Sequence, residues 1–149
     1  MSDEAQSRLL IPALRPAYDC LSEVSLLLLR VAAGAFLVPH GYGKLFGGLE
    51  GTANFLGSLG YQPAMLWAVL VAAVEFGGGI LLALGILTRP VAAAVMLFML
   101  NAVVFHWPNG FNWTGGGWEY PAMWAIVALV FVIRGGGRFS VDDKIGREF

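Results

Sequence analysis

Four apolar blocks, separated by short polar or glycine-rich stretches, dominate the pattern of hydrophobic positions along this chain. The blocks cover residues 24–46, 63–87, 90–107 and 118–134. A transmembrane helix needs about 20 predominantly apolar residues at a rise of about 1.5 Å per residue, so each block is long enough, or nearly so, to cross a bilayer. The pattern predicts an all-α fold: an integral membrane four-helix bundle that forms one domain over residues 1–149.

The polar segments outside these blocks complete the predicted outline. Between the first two spans, residues 51–60 read as a short amphipathic interfacial helix that is capped by Thr52 and closed by Gly60. Residues 1–23 and 135–149 read as polar tails. We therefore expect one short helix on the membrane surface and no structured domain outside the bilayer.

Composition agrees with a membrane location and excludes several other classes. Hydrophobic residues make up 58% of the 149 residues and charged residues only 13%, about half the charged fraction of an average soluble domain. The net charge of -1 offers no basic surface for nucleic acid. The single cysteine, Cys20, excludes an internal disulfide and a redox-active cysteine pair.

The distribution of positive charge predicts the orientation of the chain. Lys44 alone falls on one side of the predicted membrane, and the other basic residues near span ends fall on the opposite side: Arg8, Arg15, Arg89, Arg134, Arg138, Lys144 and Arg147. Because positive residues concentrate on the cytoplasmic side, both termini are expected in the cytoplasm, with the spans in the cytoplasmic (inner) membrane.

A few ionisable side chains lie inside or at the edge of the apolar blocks: Arg30, His40, Glu75, His106 and Glu119. Such groups are costly in lipid, so each is a candidate functional residue. Helical rise places Arg30 about 9 Å and Glu75 about 18 Å from the same side of the membrane, a gap that an arginine can close. We therefore expect Arg30 and Glu75 to form an ion pair in the bundle interior, with either a structural or a proton-carrying role.

Small residues indicate which face of the first helix meets its neighbours. Arg30, Gly34, Leu37, Gly41 and Lys44 follow helical spacing and form one stripe. Glycines in such a stripe admit a neighbouring helix at close range. This face is expected to point into the bundle.

The two histidines allow three interpretations. His40 and His106 fall at similar depth, about 24 Å from the cytoplasmic face by helical rise. They could ligate a haem b, or a metal together with Glu75 and Glu119; they could serve a quinone headgroup or proton transfer; or they could simply bond Asn101, a backbone carbonyl or water.

All five tryptophans are predicted in the outer half of the membrane: Trp67, Trp107, Trp113, Trp118 and Trp124. They fit an interfacial aromatic belt, or a stacking surface for a planar apolar ligand such as a quinone. For such a ligand, the candidate cofactor-binding residues are Trp67, Asn101, His106, Glu119 and Trp124.

Several short motifs give the chain a resemblance to a known family. Arg30, the run His40 to Leu45, the run Phe55 to Gly60, Glu75 to Gly79, and Leu84 to Arg89 occur in the order and on the helices expected of the DoxX family. The resemblance covers about residues 26–134. It implies a four-helix membrane protein in which Arg30, His40, Lys44 and Glu75 are family-motif residues.

Relatives in that family suggest a redox function. They include a small membrane subunit associated with archaeal thiosulfate:quinone oxidoreductase, and mycobacterial members linked to a membrane oxidoreductase complex. The leading hypothesis is a membrane redox protein that interacts with a quinone, in which Arg30, His40, Lys44 and Glu75 are the candidate catalytic residues. The expected partners are the lipid bilayer and a redox protein, and small residues on the helix faces allow homo-oligomerisation. The alternative is a non-enzymatic membrane scaffold or a carrier of small apolar molecules.

Overall fold

The computed structural model describes residues 9–147, which form helices and no strand. Seven α-helices follow one another: α1 (Arg15–Gly47), α2 (Leu49–Ser58), α3 (Ala64–Ala73), α4 (Gly79–Leu84), α5 (Thr88–His106), α6 (Glu119–Arg134) and α7 (Val141–Ile145). A five-residue π-helical segment, Val74–Gly78, joins α3 to α4, so these three elements make one continuous second span, Ala64–Leu84.

The fold is a four-helix membrane bundle. The first span α1 packs along the second span, and α5 packs along α6, while contacts of α1 with α6 and of α4 with α5 close the bundle. The centre contains one small core of Ala33, Leu82, Ala92 and Phe131 and a second of Leu37, Val95 and Ala128. The alanines among these residues let the helix backbones approach closely, which favours association in lipid.

Among residues 9–147, three helical segments are long and apolar enough to cross a membrane: Pro12–Gly47, Ala64–Leu84 and Thr88–Asn109. The fourth, α6, has 16 residues and is the shortest of the bundle. At about 1.5 Å per residue it measures about 24 Å, slightly less than the hydrocarbon thickness of a bilayer. It ends at Arg134, whose long side chain can reach the interface from this depth.

Both of the predicted polar tails contain helical segments. Helix α1 begins at Arg15 and therefore includes residues 15–23 of the predicted polar N-terminal tail, whereas residues 1–8 lie outside the described part of the chain. The second tail contains α7, in which Ser140 caps the helix by accepting a hydrogen bond from the backbone N–H of Asp143 at 3.1 Å. That pair has the S-x-x-D spacing of a capping box.

The interfacial helix exists, but its cap differs from the predicted one. Helix α2 begins at Leu49, so Thr52 lies inside it and donates its hydroxyl hydrogen to the carbonyl oxygen of Gly48 at 2.9 Å. Gly60 follows the helix with a φ of 89°, a left-handed conformation that glycine adopts without strain. Gly60 thus closes the helix as predicted, but the helix begins at Leu49, two residues before the predicted range 51–60, and its N-cap is Gly48, four residues before Thr52.

Close backbone contact aligns α1 with the second span. A Cβ atom added at Gly41 would overlap the backbone nitrogen of Phe76, and one added at Gly34 would overlap the carbonyl oxygen of Gly79. Only glycine allows these approaches, and both positions belong to the stripe predicted to face the bundle. The contact at Gly41 lies one helical turn from Lys44 and directly beside Glu75 in sequence, which brings the charged groups of the two helices together.

Candidate functional site

The ion pair inside the bundle joins Lys44 to Glu75. The Lys44 ammonium donates to both carboxylate oxygens of Glu75, with Nζ–Oε1 and Nζ–Oε2 distances of 2.8 and 2.5 Å. The Glu75 side chain is 6% exposed and that of Lys44 is 30% exposed. The carboxylate is therefore enclosed, while its cationic partner remains accessible from one side.

Glu75 sits in the π-helical segment Val74–Gly78. A π-turn widens the helix by one residue and disrupts the regular ladder of hydrogen bonds, and such turns occur often at functional sites. Here the irregular turn lies where Gly41 admits the backbone of Phe76. It holds the carboxylate against α1, within reach of Lys44.

The predicted ion pair between Arg30 and Glu75 is wrong. Arg30 is 1% exposed, and its guanidinium donates to the carbonyl oxygens of Gly136 and Phe139, the latter at 3.0 Å. Both acceptors belong to the segment between α6 and α7, which folds back beneath the bundle. The long arginine side chain reaches toward the chain termini, away from the level of Glu75, because acceptors are available there.

Asp142 completes this second polar site. Its carboxylate accepts hydrogen bonds from the backbone N–H groups of Leu87 and Thr88, both at 2.8 Å, and from the Thr88 hydroxyl at 2.7 Å. These N–H groups lie at the start of α5 and have no partner within the helix, so Asp142 caps α5 from a distance. We call Arg30, Thr88, Gly136, Phe139 and Asp142 the tail cluster.

The charge of Asp142 is stabilised by its surroundings. Burial by itself would raise the pKa of this carboxyl group, but the hydrogen bonds from Thr88 and Leu87 and the positive charge of Arg30 outweigh burial, so the pKa lies below its usual value. Leu87 adopts a φ of 49°, which is uncommon for a residue with a side chain. The hydrogen bond from its N–H group to Asp142 helps to hold that conformation.

A cavity of about 440 Å³ adjoins the Lys44–Glu75 pair and falls within the range of small-molecule sites. It lies between α2, α3 and α5, with Lys44 contributed by α1, and we call it the Lys44 cavity. Its lining is mostly aliphatic and aromatic: Phe55, Leu56, Leu59, Trp67, Leu70, Val71, Val74, Leu97, Phe98, Ala102 and Phe105. Its polar lining residues are Lys44, Thr52, Tyr61, Asn101 and His106.

The Lys44 cavity brings together some of the predicted site residues. Lys44, Trp67, Asn101 and His106 line it, and Glu75 joins it through the ion pair. His106 Nδ1 lies 2.7 Å from the carbonyl oxygen of Gly116. Since a carbonyl can only accept, Nδ1 carries the hydrogen, which leaves Nε2 of the neutral ring as an acceptor.

Other predicted residues lie elsewhere. His40 is exposed on α1 and does not line the cavity. Glu119 accepts a hydrogen bond from the backbone N–H of Trp113 at 2.8 Å and so orders the loop before α6. Trp124 packs edge-on against Phe36, with a ring-centroid separation of 6.1 Å.

The structure also bears on the metal and haem interpretations. Of the two histidines, His106 lines the Lys44 cavity and His40 does not. No group of three or more His, Cys, Asp or Glu side chains suited to a metal ion occurs among residues 9–147. The polar side chains that line the Lys44 cavity come from one lysine, one threonine, one tyrosine, one asparagine and one histidine.

Sequence reasoning missed two residues that matter for these sites. Tyr61 lines the cavity and donates its hydroxyl hydrogen to Asn101 Oδ1 at 2.5 Å. Asp142 anchors the tail cluster, and its only signal was the S-x-x-D pattern from Ser140 to Asp143, which predicts a helix start. The local sequence around Tyr61 or Asp142 does not indicate which distant residue its side chain will contact.

Comparison with known proteins identifies the family. The DoxX family model matches residues 25–107, more than half of the chain. The chain is 40% identical over 82 residues to the Bacillus subtilis (strain 168) protein named "Putative oxidoreductase CatD"; the match covers 55% of this chain and 59% of that protein. Among solved structures, none matches.

Two Escherichia coli (strain K12) proteins match over a greater length. The chain is 30% identical over 132 residues to "Inner membrane protein YphA", covering 81% of this chain and 90% of that protein. It is 29% identical over 134 residues to "Inner membrane protein YqjF", covering 87% of this chain and 98% of that protein. With the family match, the four-helix bundle and this near full-length similarity, the chain belongs to the DoxX family of membrane proteins.

Proposed function

We propose that this protein binds a quinone-like ring in the Lys44 cavity and works as a partner or subunit of a membrane oxidoreductase. The observation that carries the proposal is the position of the Lys44–Glu75 pair at the wall of a largely apolar, aromatic-lined cavity inside a membrane bundle. Ligand sites commonly combine such a lining with a few polar groups that fix orientation. A quinone presents a flat apolar ring and carbonyl oxygens, which match both parts of the lining.

The cavity offers a stacking partner and a hydrogen-bond donor for that ring. Trp67 provides an indole face, and its ring already contacts Tyr61 edge-on at a centroid separation of 5.6 Å. Lys44 has three N–H donors, of which Glu75 accepts two. The remaining N–H is available to a carbonyl oxygen of the ligand.

The ion pair also suggests how the protein would assist reduction of the ring. Conversion of a quinone to its quinol consumes two electrons and two protons. In this proposal a partner oxidoreductase supplies both electrons, the Lys44 ammonium donates one proton to the adjacent carbonyl oxygen and regains it from water, and water supplies the second proton to the other oxygen. The similarity to a Bacillus subtilis protein whose name includes "oxidoreductase" supports a redox role.

The proposed location is the inner membrane, with both termini in the cytoplasm. The two Escherichia coli relatives are named inner membrane proteins. The excess of lysine and arginine on the side of the termini favours this orientation. It places the Lys44 cavity toward the outer half of the bilayer, where a membrane-dissolved quinone could enter from lipid.

A carrier of small apolar molecules is the second candidate. The mostly apolar lining of the cavity favours it, since such a lining would also hold a ligand that lacks carbonyl groups. In that case the Lys44–Glu75 pair would only fix the register of α1 against the second span. The two candidates differ in whether a polar group of the ligand contacts Lys44.

Thermal unfolding in detergent tests the proposal, with menadione as the quinone. Menadione is expected to raise the melting temperature of the wild-type protein, and saturation at about 100 times the dissociation constant should add about 2.7 kcal/mol to the free energy of unfolding. The double variant Lys44→Met/Glu75→Gln should lose most of this shift. Lys144→Met, the same change at an exposed lysine of α7, should retain it. Absence of a shift in the wild-type protein would overturn the proposal, and an equal shift in the double variant would favour the carrier.

A further inference from the structure

A second polar wall of the Lys44 cavity is formed by Tyr61 and Asn101. Asn101 lies on α5, five residues before its end at His106. An asparagine at this depth, about 7.5 Å along the helix from that end, is costly in lipid unless its amide finds partners. Tyr61, from the connection between α2 and α3, provides one of them through its hydroxyl group.

This hydrogen bond fixes which part of the Asn101 amide remains for a ligand. The Tyr61 hydroxyl donates to Oδ1, so the oxygen of the amide is already engaged. The Nδ2 group has two N–H donors and can accept nothing. Among residues 9–147 no hydrogen bond from Nδ2 accompanies the one at Oδ1, and Asn101 lines the cavity. The side chain thus presents donors rather than acceptors to a ligand.

Lys44 and Asn101 approach the cavity from different helices. Lys44 comes from α1 and Asn101 from α5, and the π-helical segment of the second span contacts both helices. Each residue has at least one N–H not engaged by its protein partner. We infer that Asn101, oriented by Tyr61, is a second ligand-binding donor, and that with Lys44 it selects rings that carry acceptor oxygens at two separate positions.

This inference rests on the proposed function and narrows its ligand class. A para-quinone has carbonyl oxygens at opposite ends of the ring, so one can accept from Lys44 and the other from Asn101. A ring with one carbonyl leaves one donor without a partner in a mostly apolar cavity. A hydrogen bond of typical strength corresponds to about a tenfold difference in affinity, and an unsatisfied donor increases that difference.

Calorimetric titration of three bicyclic ligands tests the selection: menadione with two carbonyls, tetralone with one and methylnaphthalene with none. The wild-type protein should bind menadione about tenfold more tightly than tetralone. In Asn101→Leu this ratio should fall to near one. In Tyr61→Phe it should fall by about threefold, because Asn101 is then present but not oriented. The ratio compares two ligands on the same variant, so a general loss of stability does not produce the change.

Two control variants change exposed residues outside the cavity, Leu100 on α5 and Tyr42 on α1. Leu100→Ala changes a lipid-exposed neighbour on α5, and Tyr42→Phe removes a hydroxyl group outside the cavity; both should keep the wild-type ratio. An unchanged ratio in both Asn101→Leu and Tyr61→Phe would overturn this inference and leave the proposed function standing. If Asn101→Leu or Tyr61→Phe fails to fold, the affinity ratio measured for the other variant alone decides the inference. Failure of the wild-type protein to bind any of the three ligands would overturn both.

Discussion

Two cationic side chains on one face of α1 are buried in different ways. Arg30 and Lys44 lie 14 residues apart in sequence, about 21 Å along the helix. The guanidinium of Arg30 is enclosed by backbone carbonyl groups of the tail cluster, with 1% exposure. Lys44 pairs with a single carboxylate and remains 30% exposed toward a cavity.

The difference separates a structural site from a site suited to a ligand. Arg30 ties the segment after α6 to the underside of the bundle, and Asp142 of the same cluster ties α7 to the start of α5. A ligand could reach these groups only by displacing the chain. Lys44 needs no such rearrangement, because one of its donors and the adjoining volume are already accessible. Intramembrane charge alone therefore does not identify the functional end of the bundle; accessibility does.

The largest expected effect comes from breaking the Lys44–Glu75 pair. Lys44→Met should lower the free energy of unfolding by about 3 to 5 kcal/mol, because it leaves the buried Glu75 carboxylate without its partner. Glu75→Gln should cost less, because the Lys44 ammonium that remains is 30% exposed, and the double change should cost much less than the sum of the two. Combining Arg30→Met with Glu75→Gln should instead give additive losses within about 0.5 kcal/mol, since these residues belong to separate sites. Denaturation in detergent measures the free energies of unfolding for both double-mutant cycles, Lys44 with Glu75 and Arg30 with Glu75. Strong coupling between Arg30 and Glu75 would contradict the assignment of these residues to separate sites.

The sequence predicted the bundle and the buried stripe of α1 but not the partners of its charges. Gly34 and Gly41 indicated the buried face because glycine at helical spacing has a direct packing consequence. The pairing of Arg30 with Glu75 was wrong because depth along the helices takes no account of a segment that folds back after α6. The cavity depends on where α2 lies relative to α5, which the amphipathic pattern of α2 does not determine. Trp67 and His106, which were predicted in the outer half, nevertheless line the cavity together with Asn101, whereas Trp124 does not.

An intermediate effect is expected where α1 touches the π-helical segment. Gly41→Ala places a methyl group against the backbone nitrogen of Phe76, and this overpacking should lower the free energy of unfolding by about 1 to 3 kcal/mol. Gly43→Ala is the matched control: it lies on the same helix, a Cβ atom there meets nothing within 4 Å, and it should be neutral or stabilising by up to about 1 kcal/mol. Gly41→Ala should also weaken the menadione shift, because it moves Lys44 away from Glu75. Equal stabilities of the two variants would mean that the close approach at Gly41 does not hold the site together.

The smallest expected effect belongs to the tail cluster. Asp142→Asn weakens the cap at the start of α5 and should lower the free energy of unfolding by about 0.5 to 2 kcal/mol at neutral pH. Asp143→Asn, at the exposed neighbouring position, should have little effect. Neither change should alter the menadione shift, since both residues lie outside the Lys44 cavity. A reduced shift in Asp142→Asn alone would indicate that the two ends of α1 are coupled.

The stabilisation that Asp142 provides should depend on pH. The folded pKa of Asp142 lies below its usual value, so its charge stabilises the folded protein fully above the unfolded pKa of about 3.9. As the pH falls below that value toward the folded pKa, the carboxyl group becomes protonated in the unfolded chain first, and the stabilisation is lost. The difference in free energy of unfolding between the wild-type protein and Asp142→Asn should therefore be constant from about pH 7 to about pH 5 and shrink below about pH 4. A difference that persists unchanged down to about pH 3 would mean that hydrogen-bond geometry, and not the carboxylate charge, holds α7 against the bundle.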